Sequence, residues 1–374
     1  MRPETTAVHA GGEPDAATGA LTPAIHLATT FAHGPAGELV AGYEYTREGN
    51  PTQDRLEAAL AAMEGGAAAL AFASGMAAMH ALLESLPDGS EVLVPDDCYT
   101  GLRVLGAEFL PRRGITTRAV DMGDLDAVRA AAGTRTKLIW AETPSNPRLV
   151  VADLAGLATI ARERGLRLAC DNTFATPALQ NPLALGADAV MHSTTKYLGG
   201  HSDVLGGALV FAQHGEWHDA IAHRRHVTGA VAAPFNAWLV LRGCRSLHAR
   251  MAMHCANARR VAEFLAAQPT LSHVLYPGLP NHRNHAVAAR QMRDFGGMLS
   301  IRVRGGREAA LRLASRLQLF TNATSLGGPE SLVEHRASVE GANPVSPPDL
   351  LRLSIGLEHA DDLVDDLREA LAGA

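Results

Sequence analysis

The stretch Asp188-Ala-Val-Met-His-Ser-Thr-Thr-Lys-Tyr-Leu-Gly-Gly200 decides the fold class. Its apolar run, 189–191, predicts a short buried strand that ends in hydroxyl side chains and Lys196. A lysine in this position is either an ordinary surface residue or a Schiff-base lysine beside hydroxyls, Ser193 and Thr195, that bind a cofactor phosphate. The second interpretation requires an amine whose pKa is lowered by partial burial and positive surroundings.

A second apolar segment, 166–170, ends in Asp171. Ligands of parallel sheets bind at the carboxyl ends of the strands. An acid and a lysine at neighbouring strand ends match the pyridinium partner and the aldehyde-binding lysine of enzymes that use pyridoxal phosphate (PLP). Asp171 alone would be interpreted as a helix N-cap, but together with Lys196 it favours a PLP site.

These two segments, Ser193-Thr-Thr-Lys196-Tyr-Leu-Gly-Gly-His-Ser-Asp203 and Asp171-Asn-Thr-Phe-Ala-Thr-Pro177, resemble the Cys/Met-metabolism (trans-sulfuration) family of fold-type I PLP enzymes. That family contains cystathionine γ-synthase, cystathionine γ-lyase, cystathionine β-lyase and methionine γ-lyase. The resemblance implies an α/β fold: a mostly parallel seven-stranded sheet in a large domain, a smaller α+β C-terminal domain and an extended N-terminal arm.

The composition limits the classes of function. The 374 residues carry a net charge of −6 and no basic stripe, so nothing indicates binding to nucleic acid or to a membrane surface. Four scattered cysteines and the missing apolar leader predict a reduced, cytoplasmic protein. The 17 dispersed histidines predict no metal site, and no apolar run is long enough to span a membrane.

The order of the segments predicts three parts. Residues 1–47 are rich in Gly, Pro and Thr and are expected to form an arm that contributes to the neighbouring subunit. Residues 48–234 alternate strand and helix patterns, which predicts the PLP-binding large domain. Residues 235–374 predict the small domain, which begins with one long helix over 235–267.

The residues that would hold the cofactor phosphate follow from a turn and from the resemblance. Ser74-Gly75-Met76 separates a strand pattern from a helix pattern, which places backbone N–H groups against a phosphate. The resemblance assigns the Gly75 and Met76 amides to this cradle, and it implies that Tyr45 and Arg47 reach the phosphate of the neighbouring subunit. The protein is therefore expected to be a homo-oligomer, at least a dimer and by the family pattern a tetramer of two active dimers.

The resemblance also implies the catalytic and substrate-binding residues. Tyr99 would stack on the cofactor ring and take part in proton transfer, and Asn146 would lie near the ring hydroxyl and the substrate carboxylate. Arg352 lies in an apolar strand, where it is costly to bury without an anionic partner, and it would bind the α-carboxylate. Ser325 belongs to the loop that would close over the substrate.

Specificity is predicted from fewer residues. Glu44 and Glu330 fall where relatives that handle cystathionine carry an acidic pair near the distal amino group. Gly101 replaces a cysteine that is typical of methionine γ-lyases. Arg103 lies one position closer to Tyr99 than the corresponding arginine of many relatives, and His335-Arg336 departs from a common His-Pro.

These residues predict γ-elimination on L-cystathionine, which gives cysteine, 2-oxobutyrate and ammonia. The alternatives are γ-replacement that joins cysteine to an O-acylhomoserine and, further off, a methionine γ-lyase or a β-lyase. A nucleotide-binding α/β protein is a different class, but the sequence has neither GxGxxG nor GxxxxGK[ST].

Overall fold

The computed structural model describes residues 1–341 and 344–372. Its large sheet has the order β1-β7-β6-β5-β4-β2-β3. The strands are β1 (Ala68–Phe72), β2 (Glu91–Pro95), β3 (Thr116–Val120), β4 (Thr136–Glu142), β5 (Arg167–Asp171), β6 (Ala189–His192) and β7 (Gly207–Phe211). The short strands β6 and β7 are buried along their whole length, because apolar side chains cover both of their faces.

The pairing of these strands defines the edge of the sheet where the site lies. Strands β3, β2, β4, β5 and β6 are parallel to one another, and only β7 and β1 introduce antiparallel pairs. Glu142 and Asp171, the last residues of β4 and β5, are register partners. The carboxyl ends of β4, β5 and β6 therefore meet at one edge, as the sequence predicts for Asp171 and Lys196.

Helices cover the faces of this sheet. They are α1 (Pro3–His9), α2 (Pro51–Glu64), α3 (Gly75–Glu84), α4 (Thr100–Val104), α5 (Leu125–Ala131), α6 (Leu154–Arg164), α7 (Thr176–Leu179), α8 (Glu216–Thr228) and α9 (Pro234–Cys244). Sequence signals fix the ends of α2: the Asn50 side chain accepts from the Thr52 amide, and Gly65 adopts φ 72° at the C-cap.

The N-terminal arm is less extended than the sequence predicts, because α1 packs against α2 and buries Ala7. After α1 the arm runs over the surface and leaves apolar side chains in solvent, including Leu21 and Val40, each at least 70% exposed. Exposed apolar side chains in such numbers are typical of a surface that another chain covers.

The small sheet has the order β10-β11-β12-β9-β8. Its strands are β8 (Leu271–Leu275), β9 (Met298–Val303), β10 (Thr321–Asn322), β11 (Leu332–His335) and β12 (Leu350–Ser354), and its helices are α10 (Leu247–Ala266), α11 (His285–Gln291), α12 (Gly306–Arg316), α13 (Arg336–Val339) and α14 (Ala360–Ala372). Within the described ranges no helix is long and apolar enough to cross a membrane. The domain boundaries named above remain predictions.

The prediction of a single helix over 235–267 is wrong. This segment forms two helices, α9 and α10, which are separated at Arg245 and Ser246. Arg250 explains the break: its guanidinium donates to the Gly243 carbonyl and to the Tyr197 carbonyl, each at 2.7 Å. The first of these bonds satisfies a carbonyl in the last turn of α9, which ends that helix and ties it to the segment after Lys196.

Candidate active site

A cavity of about 610 Å³ opens between the carboxyl edge of the large sheet and the small sheet. The fold brings ten of the predicted site residues to its lining: Gly75, Met76, Tyr99, Asn146, Asp171, Ser193, Thr195, Lys196, Ser325 and Arg352. The placement agrees with the predicted site, and the individual role of each residue stays a prediction.

Lys196 follows β6 and reaches the small domain. Its Nζ donates to the Ser325 Oγ at 2.7 Å. Burial, and then the nearby charge of Arg352, lower the pKa of Lys196 to about 8, and the charge of Glu334 opposes that shift. Ser325 adopts φ 82°, a left-handed conformation that a non-glycine residue seldom takes. The amine is thus held where it is easily deprotonated.

Two buried carboxylates lie behind Lys196 at the ends of β5 and β4. Asp171 accepts from the Thr173 amide at 3.0 Å, and burial raises its pKa. Glu142 accepts from the amides of Tyr99 and Asn146, both at 2.9 Å. Burial, and then the charge of Asp171, raise the pKa of Glu142 well above its usual value. The sequence analysis missed Glu142, although it ends a strand just as Asp171 does.

The turn before α3 forms the opposite end of the cavity. The first helical hydrogen bond runs from the Ala78 amide to the Ser74 carbonyl, so the Gly75 and Met76 amides precede the helical pattern. A Cβ on Gly75 would lie 3.0 Å from the Ser193 Cβ. A Cβ on Gly207 would lie 2.2 Å from the Ser74 carbonyl oxygen, so only glycine lets β7 pass this turn. This close approach is the reason for the glycine that begins β7.

The small domain contributes a buried arginine, Arg352, from the middle strand β12. It donates to the Asn146 Oδ1 and to the Ser325 carbonyl at 3.0 Å each, and its Nη2 lies 2.6 Å from the Glu334 Oε2. Burial lowers the pKa of Arg352 to about 10. Glu334 is the register partner of Arg352 on β11 and supplies the anionic partner that the sequence argument required.

Glu334 was missed by sequence reasoning, although a signal was present. It is a charged residue in the apolar run Leu332-Val-Glu-His335, the same signal that marked Arg352. A second arginine, Arg336, also binds the Glu334 Oε2, at 2.8 Å, and lines the cavity. The departure at 335–336 therefore places a guanidinium in the cavity wall.

Arg103 does not join the cavity lining. Its Nη2 lies 3.5 Å from the Glu340 Oε2 and donates to the Thr100 Oγ1 at 3.2 Å. Glu340 in turn lies 3.6 Å from Arg336. Arg103 thus stands behind the cavity wall.

Four predicted residues lie away from the cavity. Tyr45 is 40% exposed and Arg47 donates to the His226 carbonyl at 3.2 Å, as expected if both serve another subunit. Glu44 lies in the same exposed segment. Glu330 is hydrogen-bonded to the Ser202 hydroxyl and is not among the described residues that line the cavity. This chain by itself therefore does not bring Glu44 and Glu330 together as an acidic pair.

The residues that line the cavity fit pyridoxal phosphate. Asp171 is a buried carboxylate with a raised pKa, so a protonated ring nitrogen would supply the counter-charge it needs. Lys196 has the lowered pKa of an amine that reacts with an aldehyde. The Gly75 turn and Ser193 offer amide and hydroxyl donors to a phosphate at a helix N-terminus.

Comparison with known proteins decides the family. A family model described as "Cys/Met metabolism PLP-dependent enzyme" matches residues 4–372. The chain belongs to this family. The predicted cofactor and the predicted α/β fold are thereby confirmed.

Three similar proteins carry three different activities in their names. Cystathionine gamma-synthase of Mycobacterium tuberculosis is 51% identical over 375 residues, which cover 99% of this chain and 96% of that protein. Cystathionine beta-lyase of Coxiella burnetii is 44% identical and covers 98% of this chain and 97% of its own. The crystal structure of cystathionine gamma-lyase from Lactobacillus plantarum, complexed with L-serine, has a TM-score of 0.95 and 39% identity and covers 100% of this chain and 99% of its own. The chain is a PLP-dependent enzyme of this group.

One cluster outside the cavity was not foreseen. His214, His218 and Asp219 bring one potential ligand atom each to within 4.8 Å of one another, at the start of α8. The expectation that the histidines are dispersed is therefore wrong at this place, because these three residues lie within six consecutive positions of the sequence.

Proposed function

We propose that this enzyme catalyses γ-replacement at an O-acyl-L-homoserine, with L-cysteine as the incoming thiol and L-cystathionine as the product. The charge of the cavity wall carries the proposal. Arg336 lines the wall, Glu334 is shared by two arginines, and Glu330 lies outside, so the described small-domain wall presents a positive charge that suits the carboxylate leaving Cγ in γ-replacement. The name of the M. tuberculosis relative supports the same reaction.

The residues have distinct roles in this proposal. Arg352 and the Asn146 amide bind the substrate α-carboxylate in a bidentate site. Asp171 would stabilise the positive charge of the ring nitrogen of a bound cofactor, and Tyr99, which lines the same cavity, would cover the ring. When bound, pyridoxal phosphate supplies the electron sink that lets protons leave Cα and Cβ. Lys196, oriented by Ser325, accepts and returns those protons.

The bond changes balance. The bond between Cγ and the ester oxygen breaks, a bond between Cγ and the cysteine sulfur forms, and the thiol proton leaves with the carboxylic acid. Water is excluded to the extent that the small domain covers the cavity, because hydrolysis would instead give a 2-oxo acid and ammonia.

γ-Elimination on L-cystathionine, the reaction that the sequence predicted first, is the second candidate. Structural similarity to a protein named cystathionine gamma-lyase supports it. Both reactions use the residues named above, and they differ in whether a thiol or water completes the reaction.

Product identification by NMR tests the proposal. The PLP-loaded enzyme is incubated with O-acetyl- or O-succinyl-L-homoserine plus L-cysteine and, separately, with L-cystathionine alone. We expect cystathionine and the free acid in the first incubation. Cysteine with 2-oxobutyrate from cystathionine alone, without synthesis in the first incubation, would replace γ-replacement by γ-elimination. Homocysteine with pyruvate would indicate β-cleavage.

We also propose that the active unit is at least a dimer. Tyr45 and Arg47 lie away from the cavity of their own chain, and a phosphate is the ligand that suits an arginine fork. Mixing the Arg47→Ala and Lys196→Ala enzymes tests this. We expect activity only in the mixture, because a hybrid dimer rebuilds one intact site. A mixture as inactive as its components would refute the shared site.

A further inference from the structure

We propose that Arg336 is a specificity-determining residue that binds a second substrate carboxylate, carried by the group that leaves Cγ. This inference rests on the proposed γ-replacement and narrows its substrate class. The favoured substrates are O-acyl-L-homoserines whose acyl group itself ends in a carboxylate, that is, half-esters of a dicarboxylic acid.

The position of Arg336 supports a role in binding. It is the first residue of α13, directly after β11, and it lines the same cavity as Lys196 and Arg352. It is only 6% exposed. A guanidinium keeps its charge under all ordinary conditions, so burying one at the wall of a cavity is costly unless anions surround it.

The available anions do not saturate this guanidinium. Its Nη1 donates to the Glu334 Oε2 at 2.8 Å, but that oxygen is also 2.6 Å from Arg352. Its Nη2 is only 3.3 Å from the Thr100 Oγ1 and 3.6 Å from the Glu340 Oε1, and its Nε has no hydrogen-bond partner among the described residues. The planar fork retains donors for another carboxylate.

The charge balance of the cluster points the same way. Three guanidiniums, those of Arg352, Arg336 and Arg103, face two carboxylates, those of Glu334 and Glu340. The cluster therefore carries one positive charge in excess, counted over the described residues that form it. An excess positive charge in a site of low polarity favours anionic ligands, because the attraction is weakly screened there.

Arg103 and Glu340 act as positioning residues for Arg336. Glu340 accepts from the amides of Val345 and Ser346, at 2.8 and 3.0 Å, and its side chain is 1% exposed. Burial acts to raise the pKa of Glu340, but these bonds, the Ser346 hydroxyl and Arg103 lower it below its usual value. Glu340 is therefore held as an anion that fixes Arg336 beside Thr100.

Two esters that differ in one carboxylate test the proposal. The ratio of kcat/KM for O-succinyl- over O-acetyl-L-homoserine, with saturating cysteine, is measured in the PLP-loaded wild type and in Arg336→Met, which keeps an unbranched side chain and removes the charge. We expect the wild type to prefer the succinyl ester by about 10- to 100-fold, as a charge-assisted hydrogen bond allows. The ratio should fall toward one in Arg336→Met and recover in part in Arg336→Lys.

Arg302→Met is the matched control. Arg302 belongs to the same small sheet and pairs with Asp349 at 2.8 Å, but it lies outside this cavity. The control should keep the wild-type ratio. A binding measurement without turnover accompanies it: calorimetry of the PLP-loaded enzymes with adipate and with hexanoate. We expect adipate to bind the wild type at least about tenfold more tightly, and Arg336→Met to lose this difference.

The outcomes separate the two proposals. Product from both esters at equal kcat/KM in the wild type, or an unchanged ratio in Arg336→Met, overturns the role of Arg336 and leaves γ-replacement intact. No cystathionine from either ester overturns γ-replacement, and the adipate and hexanoate affinities then still decide the role of Arg336. If Arg336→Met does not fold, judged by circular dichroism, the same affinities in the wild type and in Arg336→Lys decide it.

Discussion

The two halves of the cavity are built in different ways. On the cofactor side, Asp171, Ser193 and Lys196 follow consecutive strands of one sheet, and their neighbours are amides and hydroxyls. On the substrate side, Arg352 and Glu334 come from the small sheet and meet Asn146, which lies about 200 positions away, at the large one. The first half depends on local sequence, and the second depends on long-range pairing of charges.

This difference has a consequence for substitutions. A strand end fixes its residue through backbone pairing, so a substitution there removes a chemical group and leaves its surroundings in place. A buried ion pair fixes each partner through the other, so a substitution leaves an uncompensated charge. We therefore expect substitutions on the cofactor side to reduce turnover. Substitutions on the substrate side should instead alter substrate binding and the pH dependence of cofactor binding.

The largest effect is expected for Lys196→Ala. Loss of the amine removes both the bond to the cofactor and the group that moves the protons, so turnover should fall by at least about 10³-fold. The visible absorbance of the lysine-bound cofactor should disappear with it. Product formation by NMR and an absorbance spectrum are the measurements.

The only other lysine of the chain, Lys137, provides the control. It is exposed on β4, so Lys137→Ala should keep both the spectrum and the activity. Borohydride reduction followed by mass spectrometry should place the cofactor on the peptide of Lys196. A cofactor found on Lys137 would contradict the assignment.

The next effect is expected for Arg352→Met, on the substrate side. The substitution removes the residue that would bind the substrate α-carboxylate, and it leaves Arg336 as the arginine that pairs with Glu334. KM for the amino-acid substrate should rise by about 10- to 100-fold while the spectrum of the bound cofactor is retained. Steady-state kinetics with an absorbance spectrum test this. A lost spectrum with an unchanged KM would show that the two halves are not separable.

The pH dependence of cofactor binding sharpens the comparison. Lys196 has a pKa of about 8, below its usual value, so its neutral form increases as the pH rises through 8. Only the neutral amine attacks an aldehyde, so the rate at which the cofactor-free protein binds pyridoxal phosphate should fall about tenfold per pH unit below 8 and level off above it.

Glu334→Gln should move this midpoint to lower pH, because the charge of Glu334 raises the pKa of Lys196. Stopped-flow absorbance of cofactor binding across the pH range measures the shift. A midpoint that stays in place would mean that the charge network on the substrate side does not reach the lysine.

The same difference explains how much the sequence alone could predict. The strand that ends at Asp171 and the strand before Lys196 are apolar runs with polar ends, and the structure has both. Ser74-Gly75-Met76 is likewise a local signal of strand, turn and helix. The break between α9 and α10 was missed because Arg250, which binds the Gly243 carbonyl, lies seven residues further along the chain.

Glu334 shows the limit more sharply. Its carboxylate pairs with Arg352 because the two residues are register partners on neighbouring strands. No spacing in the sequence predicts that register. Glu330, the residue that the resemblance predicts, lies four positions earlier on the same segment, and its side chain is hydrogen-bonded to the Ser202 hydroxyl instead. A difference of four residues in a loop that enters a strand is beyond what a pattern of residue types can resolve.

The smallest effect is therefore expected for Glu330→Gln. In the structure its carboxylate binds the Ser202 hydroxyl outside the cavity, at a partly exposed site, where the loss of one charge changes little. KM for the homoserine ester and for L-cystathionine should stay within about twofold of the wild type. Steady-state kinetics with both substrates measure it, with Glu334→Gln as the comparison that should change KM.

A KM for L-cystathionine that rises about tenfold or more in Glu330→Gln, with the ester unaffected, would mean that assembly of the subunits brings this carboxylate to the distal ammonium. Glu330 would then act beside Arg336 in the same wall, and the substrate half would select a zwitterionic distal group rather than a carboxylate alone.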